Sequence, residues 1–221
     1  MDIATAMQQR QCIRAFTDQS VATELVQRIL DHTRWAPSGV NTQPWQVAVV
    51  SGDTQKRITE SLIDARDTQQ PPNPDYDYYP GEWKEPYRSR RIACGKALYE
   101  ALDIAREDKQ RQKIAWYNNY HFFGAPIGLF FFIDKRMNTG SWVDMGMFIQ
   151  NVMLAAVDYG LGTCPQASLA EYPDRVRQIL NLDQQLALIC GMSLGYPDKD
   201  HVVNQYRLAR EETQDFAHWY D

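Results

Sequence analysis

No stretch of this 221-residue chain is apolar for long enough to cross a bilayer. The longest apolar run, Ala125 to Ile133, falls far short of the ~20 residues a spanning helix needs, and Met1 to Arg10 has no apolar leader region. The expectation is a soluble, unprocessed chain with no membrane partner. Positive charge is in deficit: 23 Lys and Arg against 28 Asp and Glu leave a formal charge of −5. Such a chain has no field to hold a polyphosphate backbone, which speaks against nucleic acid as a partner. The four cysteines, at 12, 94, 164 and 190, form no CxxC pair, and the four histidines show neither HExxH nor i,i+4 spacing. No metal site is expected, and the cysteines read as reduced thiols of a cytoplasmic protein. Dinucleotide and nucleotide signatures are missing too. There is no GxxxxGK[ST], and Gly160-Leu161-Gly162 lacks the third glycine of a Rossmann turn.

What is present is enough apolar residue, 44% of the chain, to bury one core, and the length suits a single domain spanning 1–221. Val21, Leu25, Val26, Ile29 and Leu30 repeat with helical spacing over 21–35, with Ser20 and Thr23 available as caps. Trp45 to Val50 reads as a buried strand, and Asp53 opens a second helix with Ile58, Leu62 and Ile63 inward. Pro71 to Trp83 holds four prolines and cannot be regular, yet its Tyr76, Tyr78, Tyr79 and Trp83 are too aromatic for a mere linker. Residues 85 to 120 are helical in pattern, with 106–113 either a solvated turn or a break. The region 67–120 is expected to be a lid or a segment that embraces a partner. Ile127 to Ile133 reads as a central strand, Trp142 to Tyr159 as a helix apolar on nearly every side, 173–180 as a short helix opened by Pro173, and Leu186 to Cys190 as a third strand. The whole reads as α+β, with few strands and many helices.

Gly191-Met192-Ser193-Leu194-Gly195 has the form of a nucleophile elbow, but Tyr196-Pro197-Asp198 follows where the elbow needs a helix. It is read as a strand end with small residues. Arg10-Gln11-Cys12-Ile13-Arg14 is the strongest basic constellation. In an extended chain, positions 10, 12 and 14 share a face and set two guanidinium forks around a thiol, which suits a phosphate monoester. Two surface arginines paired with the acidic excess would give the same pattern. Pro37-Ser38-Gly39-Val40-Asn41-Thr42-Gln43-Pro44-Trp45 is either a capped turn or a polar edge that reads a heterocycle.

Taken together, the two segments resemble the nitroreductase family of FMN flavoproteins, with its R-x-S-x-R-x-F near the N-terminus and P-S-S-x-N-x-Q-P-W before the first main strand. The resemblance continues through Gly124-Ala125-Pro126, the apolar helix from Trp142, Gly160 to Gln166, Gly191 to Tyr196 and the tail Asn204 to Arg210, so it covers almost the whole chain. Cys12 stands where the family usually has Ser, and Gly39 where it has a second Ser.

The resemblance implies a nitroreductase-like fold, a mostly antiparallel central sheet surrounded by helices, in an interwoven homodimer with FMN at the subunit interface. It implies that Arg10, Gln11, Cys12 and Arg14, with Arg210 or Arg207 from the tail, hold the phosphate end. Pro37, Ser38, Gly39 and Asn41 would approach from the partner chain, Pro165, Gln166 and Ala167 would pass beside flavin N5, and Asn118 would meet the pyrimidine edge. The flavin carries the hydride, so no catalytic side chain is required. NAD(P)H would deliver that hydride, and a nitroaromatic or quinone-like acceptor would then take it in ping-pong order. Tyr76, Tyr79 and Trp83 would form a wall for a planar substrate, as in the nitrobenzoate-reducing subgroup, or else cover the partner subunit. Rival activities within the same fold are reductive dehalogenation, enone or quinone reduction and flavin destruction. A non-catalytic flavin-binding dimer is the rival outside it.

Overall fold

The octet Ile127-Gly128-Leu129-Phe130-Phe131-Phe132-Ile133-Asp134 is buried at its first seven positions, so the strand it forms has to lie in the middle of the molecule. In the computed structural model, which describes all 221 residues, it is the second of four strands. These are β1 (Gln46–Ser51), β2 (Ile127–Asp134), β3 (Gly162–Gln166) and β4 (Leu186–Gly195). They form one sheet in the order β1-β2-β4-β3, with every pair antiparallel. The helices are α1 (Ile3–Gln9), α2 (Thr23–Thr33), α3 (Gly52–Asp67), α4 (Tyr87–Ala101), α5 (Lys109–Tyr117), α6 (Thr139–Asp158), α7 (Pro173–Leu180) and the single turn α8 (Thr213–Phe216). The α+β class holds.

Alternation along β2 sends Leu129, Phe131 and Ile133 to one side of the sheet and Phe130 and Phe132 to the other. The first set meets Leu25 and Ile29 of α2 and Met145, Phe148 and Val152 of α6. The second meets Ile58 and Leu62 of α3 and Val176 of α7. The sheet is thus the middle of three layers, and each fully buried Leu, Ile or Phe contributes about 1.5–3 kcal/mol relative to exposure. Gly191 is required where it stands, because a Cβ there would overlap Leu169.

The β2–β4 register slips by one. Phe131 faces Cys190 and Phe132 faces Leu188, which leaves Ile189 as the extra residue of a bulge.

The sequence expectations need correcting at several points. Gly162–Gln166 is a fourth strand, hidden by a Gly-Thr-Cys-Pro-Gln composition that carries no strand pattern and becomes extended only by pairing with β4. The strand expected over 186–190 runs on to Gly195, through small residues that are buried rather than turned. A helix at Ile3–Gln9, too short to show a period, is capped by Asp2, whose carboxylate accepts the Thr5 N–H at 2.9 Å. The cap position of α2 falls on Ala22, not on Ser20 or Thr23. Residues 85–120 hold two helices parted at 102–108. The single chain does not enclose the apolar helix, now α6, on all sides, since Val143 is 61% exposed and Met147 36%, and this leaves open the expectation of burial in the core or against a second copy.

Candidate active site

After α1 the chain is extended, and Cys12 forms an isolated parallel bridge with Thr163 of β3, tightened by Ile13 N–H donating to the Thr163 carbonyl at 2.9 Å. This lays Arg10 to Arg14 along the open edge of the sheet. The same segment is tied to the chain's other end through Asn204. Its Oδ1 accepts the Arg14 N–H at 2.8 Å, its Nδ2 donates to the Ala15 and Asp198 carbonyls at 2.8 Å, and its carbonyl accepts from Gln11 Nε2 at 2.8 Å. Arg207 donates to the carbonyls of Gln8 and Gln9.

These ties enclose a cavity of about 500 Å³ lined by Arg10, Cys12, Arg14, Tyr206, Arg207 and Arg210, among others, with no carboxylate in its wall. None of the four arginines takes part in an ion pair, although the chain has a net acidic excess. The reading of Arg10 and Arg14 as surface arginines paired with acids therefore fails. Four unneutralised guanidinium groups around one cavity are the donor set of an anion site. Cys12 responds to that field: a hydrogen bond with Cys164, then the charges of Arg14 and Arg10, hold its thiol down at about 6 against the opposing effect of burial.

Arg14 also borders a second cavity, of about 530 Å³, lined by Pro165, Gln166, Ala167, Ser168, Asn119 and the tyrosines 76, 78 and 79. Gln166 is fixed there from two sides. Ser193 Oγ donates to its Oε1 at 2.6 Å, and its Nε2 donates to the Asn119 carbonyl at 2.7 Å. Ser193 thus sits in mid-strand, fully buried and hydrogen-bonded, and serves no nucleophile elbow. Ser168 Oγ, in the same wall, is buried without a partner. An unpaired hydroxyl beside a fixed amide fits the polar edge of a heterocycle, and the arginine cavity joined to it through Arg14 fits that molecule's phosphate end.

The aromatic loop forms the opposite wall. Tyr76 OH donates to the carbonyl of Ile189, the bulge residue of β4, at 2.8 Å, and the Tyr76 ring meets Trp142 of α6 edge-on at 4.8 Å between centroids. Tyr79 meets Tyr78 edge-on at 4.7 Å between centroids, and Trp83 backs Tyr79 at 5.6 Å without lining the cavity itself. The loop is pinned by Asp75, whose side chain is only 6% exposed. It accepts from Arg177 at 2.5 and 3.2 Å, from Lys135 at 2.9 Å and from the Leu188 N–H at 2.9 Å. Burial would raise the Asp75 carboxyl, but these donors outweigh it and hold it below the ordinary carboxylate range.

Pro37, Ser38, Gly39 and Asn41 lie apart from both cavities, on a turn packed against α6. Gly39 N–H donates to the buried Asp144 at 3.1 Å, and Ser38 Oγ accepts the Gln43 N–H at 2.9 Å. Val40, Asn41 and Gln43 all have positive φ, of 44°, 59° and 48°, a strained backbone for non-glycine residues. Asn118 is exposed on a different depression, beside Asp67 and His121, whereas its neighbour Asn119 lines the Gln166 cavity. Sequence reasoning missed Asn119, Asp144, Asp75 and Ser168. Asn204 and Tyr206 lie in the tail stretch, Asn204 to Arg210, that carries part of the family resemblance.

The family model for the nitroreductase family matches residues 7–196, and the chain belongs to that family. Among characterised relatives, it is 36% identical over 219 residues to the 4-nitrobenzoate reductase of Pseudomonas putida, covering 99% of this chain and 95% of that one. Among solved structures, the FMN- and NADPH-dependent nitroreductase NfnB of Sphigopyxis sp. strain HMH superimposes with a TM-score of 0.96 at 37% identity, and each chain is covered completely. NfnB of Mycobacterium smegmatis, an FMN-dependent nitroreductase solved in complex with NADPH, gives a TM-score of 0.93 at 32% identity over the full length of both chains. No helix is long and apolar enough to cross a membrane.

Proposed function

We propose that this chain is an FMN-dependent oxidoreductase that uses NAD(P)H to reduce nitroaromatic or quinone-like acceptors. The observation that carries the reading is the joining, through Arg14, of an acid-free arginine cavity to an aromatic-walled one. Bound FMN supplies a ring nitrogen, N5, able to accept a hydride and return it. The protein's part is to hold, orient and shield.

Arg10 and Arg14, with Arg207 and Arg210, would hold the phosphate by charge-assisted hydrogen bonds, with Gln11 and the Cys12 thiol beside them. Pro165, Gln166 and Ala167 would form the ledge under the ring system, with Gln166 locked by Ser193 and Asn119. The pyrimidine-edge role passes to Asn119 and Ser168, since Asn118 faces away. Tyr76 and Tyr79 would form the wall that a planar nicotinamide and a planar acceptor visit in turn, and Trp83 would support Tyr79 from behind.

The reading includes a homodimer. α4 and α5 bury none of their residues in the chain, and Val40 on the Ser38 turn is 98% exposed. Residues 67–120 would then embrace the partner, and the turn at Pro37 to Asn41 would reach the partner's site. Four unpaired cysteines suit a reducing, cytoplasmic compartment.

The test is anaerobic addition of NADH or NADPH to flavin-loaded protein while following the absorbance of the oxidised flavin. One equivalent of reductant per flavin should bleach it, and a nitrobenzoate or a quinone should restore it. Protein that takes up FMN but consumes neither nucleotide would instead be a flavin-binding dimer without reductase activity.

A further inference from the structure

Trp116, in the last turn of α5, is the single residue that the aromatic cavity shares with an adjoining cavity of about 420 Å³, lined also by Arg66, Tyr99 and Lys113. It is therefore the partition between the two. The indole is braced from the side of the second cavity: the Arg66 guanidinium carbon lies 3.8 Å from the ring centroid, a close cation–π contact. Arg66 is fixed in turn, because its Nη1 donates to Glu171 Oε2 at 2.9 Å, and the same oxygen accepts from Tyr120 Oη at 2.7 Å. Tyr120 is fully buried and meets the Trp116 ring edge-on at 5.1 Å between centroids. The brace thus starts in the core and ends on the cavity wall.

We propose that Trp116 determines which acceptors the site admits, as the wall that limits the aromatic cavity to single-ring nitroarenes, and that Arg66 is the positioning residue that holds this wall in place. The inference rests on the reading of that cavity as the acceptor site. Its volume of about 530 Å³ has to take both the flavin edge and the acceptor. Two sizeable cavities adjoin it. The arginine cavity, reached past Arg14, is given to the phosphate end, so the room for a second ring lies behind Trp116. The other walls are less free to yield, since β3 is paired with β4 and the tyrosine loop is pinned through Asp75. A wall made of one side chain is a specificity device: it rejects by overlap a ring that its removal would admit.

Full-length, flavin-loaded protein reduced by NAD(P)H is assayed with 4-nitrobenzoate and 4′-nitrobiphenyl-4-carboxylate, which carry the same charge and differ by one ring. In the parent the one-ring acceptor should have the higher kcat/KM. Trp116→Ala should raise the ratio of two-ring to one-ring kcat/KM about tenfold or more, whereas Trp116→Phe, which keeps an aromatic wall, should stay close to the parent. Arg66→Met removes the charge but not the bulk and should move the ratio the same way by a smaller factor. Arg66→Lys, which restores a cation over the ring, should bring it back toward the parent. Differences in reducibility between the two acceptors cancel when each variant is compared with the parent. A role in folding alone would slow both acceptors alike. An unchanged ratio in Trp116→Ala, or a parent that already prefers the two-ring acid, overturns the proposal, and an unchanged ratio in Arg66→Met overturns the brace. The Arg66 pair carries the test even if Trp116→Ala does not fold.

Binding separates this inference from the reading beneath it. Benzoate and biphenyl-4-carboxylate lack the nitro group, so their calorimetric dissociation constants on the oxidised, flavin-loaded protein require no turnover. Trp116→Ala should tighten the two-ring acid relative to the one-ring acid by a similar factor of about ten or more. Protein that binds in this pattern but consumes no NAD(P)H and reduces neither nitro compound overturns the reductase reading and upholds the wall. Turnover of both nitro compounds with no change in either ratio does the reverse.

Discussion

Arg14 is the residue on which the two cavities meet, and its half-buried guanidinium has no acid near it. Arg14→Ala should therefore weaken FMN binding far more than Arg14→Lys does. Truncation leaves a phosphate oxygen poorly paired at a cost of about 2–5 kcal/mol, whereas lysine keeps the charge and loses only the fork geometry. At about 1.4 kcal/mol per decade, the alanine variant should show at least a tenfold higher dissociation constant in a flavin titration. An Arg14→Ala variant that binds FMN as tightly as the parent would remove the phosphate site from this end of the molecule. Cys12→Ser serves as the companion variant. A hydroxyl donates to phosphate better than a thiol does, so the serine variant should bind FMN at least as tightly as the parent.

At the scale of elements, the aromatic loop is held mainly by one carboxylate, Asp75, buried against Arg177, Lys135 and the backbone of β4. Asp75→Ala leaves Arg177, itself 2% exposed, with one buried partner fewer, at a cost of about 3–5 kcal/mol. A urea midpoint shift should register that loss, and KM for aromatic acceptors should rise with it as Tyr76 loses its anchor. Because the folded-state pKa of Asp75 is depressed, its contribution is fully present above the unfolded value of about 3.9 and is lost as pH falls through the folded value. In the parent, the stability conferred by this carboxylate should thus decline on acidification below about pH 4, and in Asp75→Ala that part of the decline should be absent.

The elements also show where the sequence was legible. β2 could be read because a strand buried throughout is apolar throughout, and the Arg10 to Arg14 and Pro37 to Trp45 segments could be read because each is contiguous. β3 could not, since nothing local makes Gly-Thr-Cys-Pro-Gln extended. Nor could Asp144, Asn204 or Asp75, whose partners lie 105, 190 and 113 residues away along the chain. The apolar circumference of α6 gave no means of telling core from dimer interface, and the chain alone leaves Val143 and Met147 open.

For the whole molecule, that open strip, together with α4 and α5, carries the expectation of a second copy. Sedimentation at micromolar concentration should give twice the 25.6 kDa chain mass, with flavin co-sedimenting. A stable flavin-loaded monomer would contradict the shared-site arrangement, because the Ser38 turn lies away from both cavities of its own chain.

The knot at Asn204 has a consequence in time as well as in space. Arg14 leaves the ribosome 190 residues before the asparagine that receives its N–H. Through most of translation, the N-terminal segment has neither that partner nor the two tail arginines that complete the cavity. The anion site therefore comes into being only once residues 204–210 have emerged, which makes flavin capture a post-translational event. A nascent chain stalled before residue 204 would carry the sheet core but an anion site short of Arg207 and Arg210.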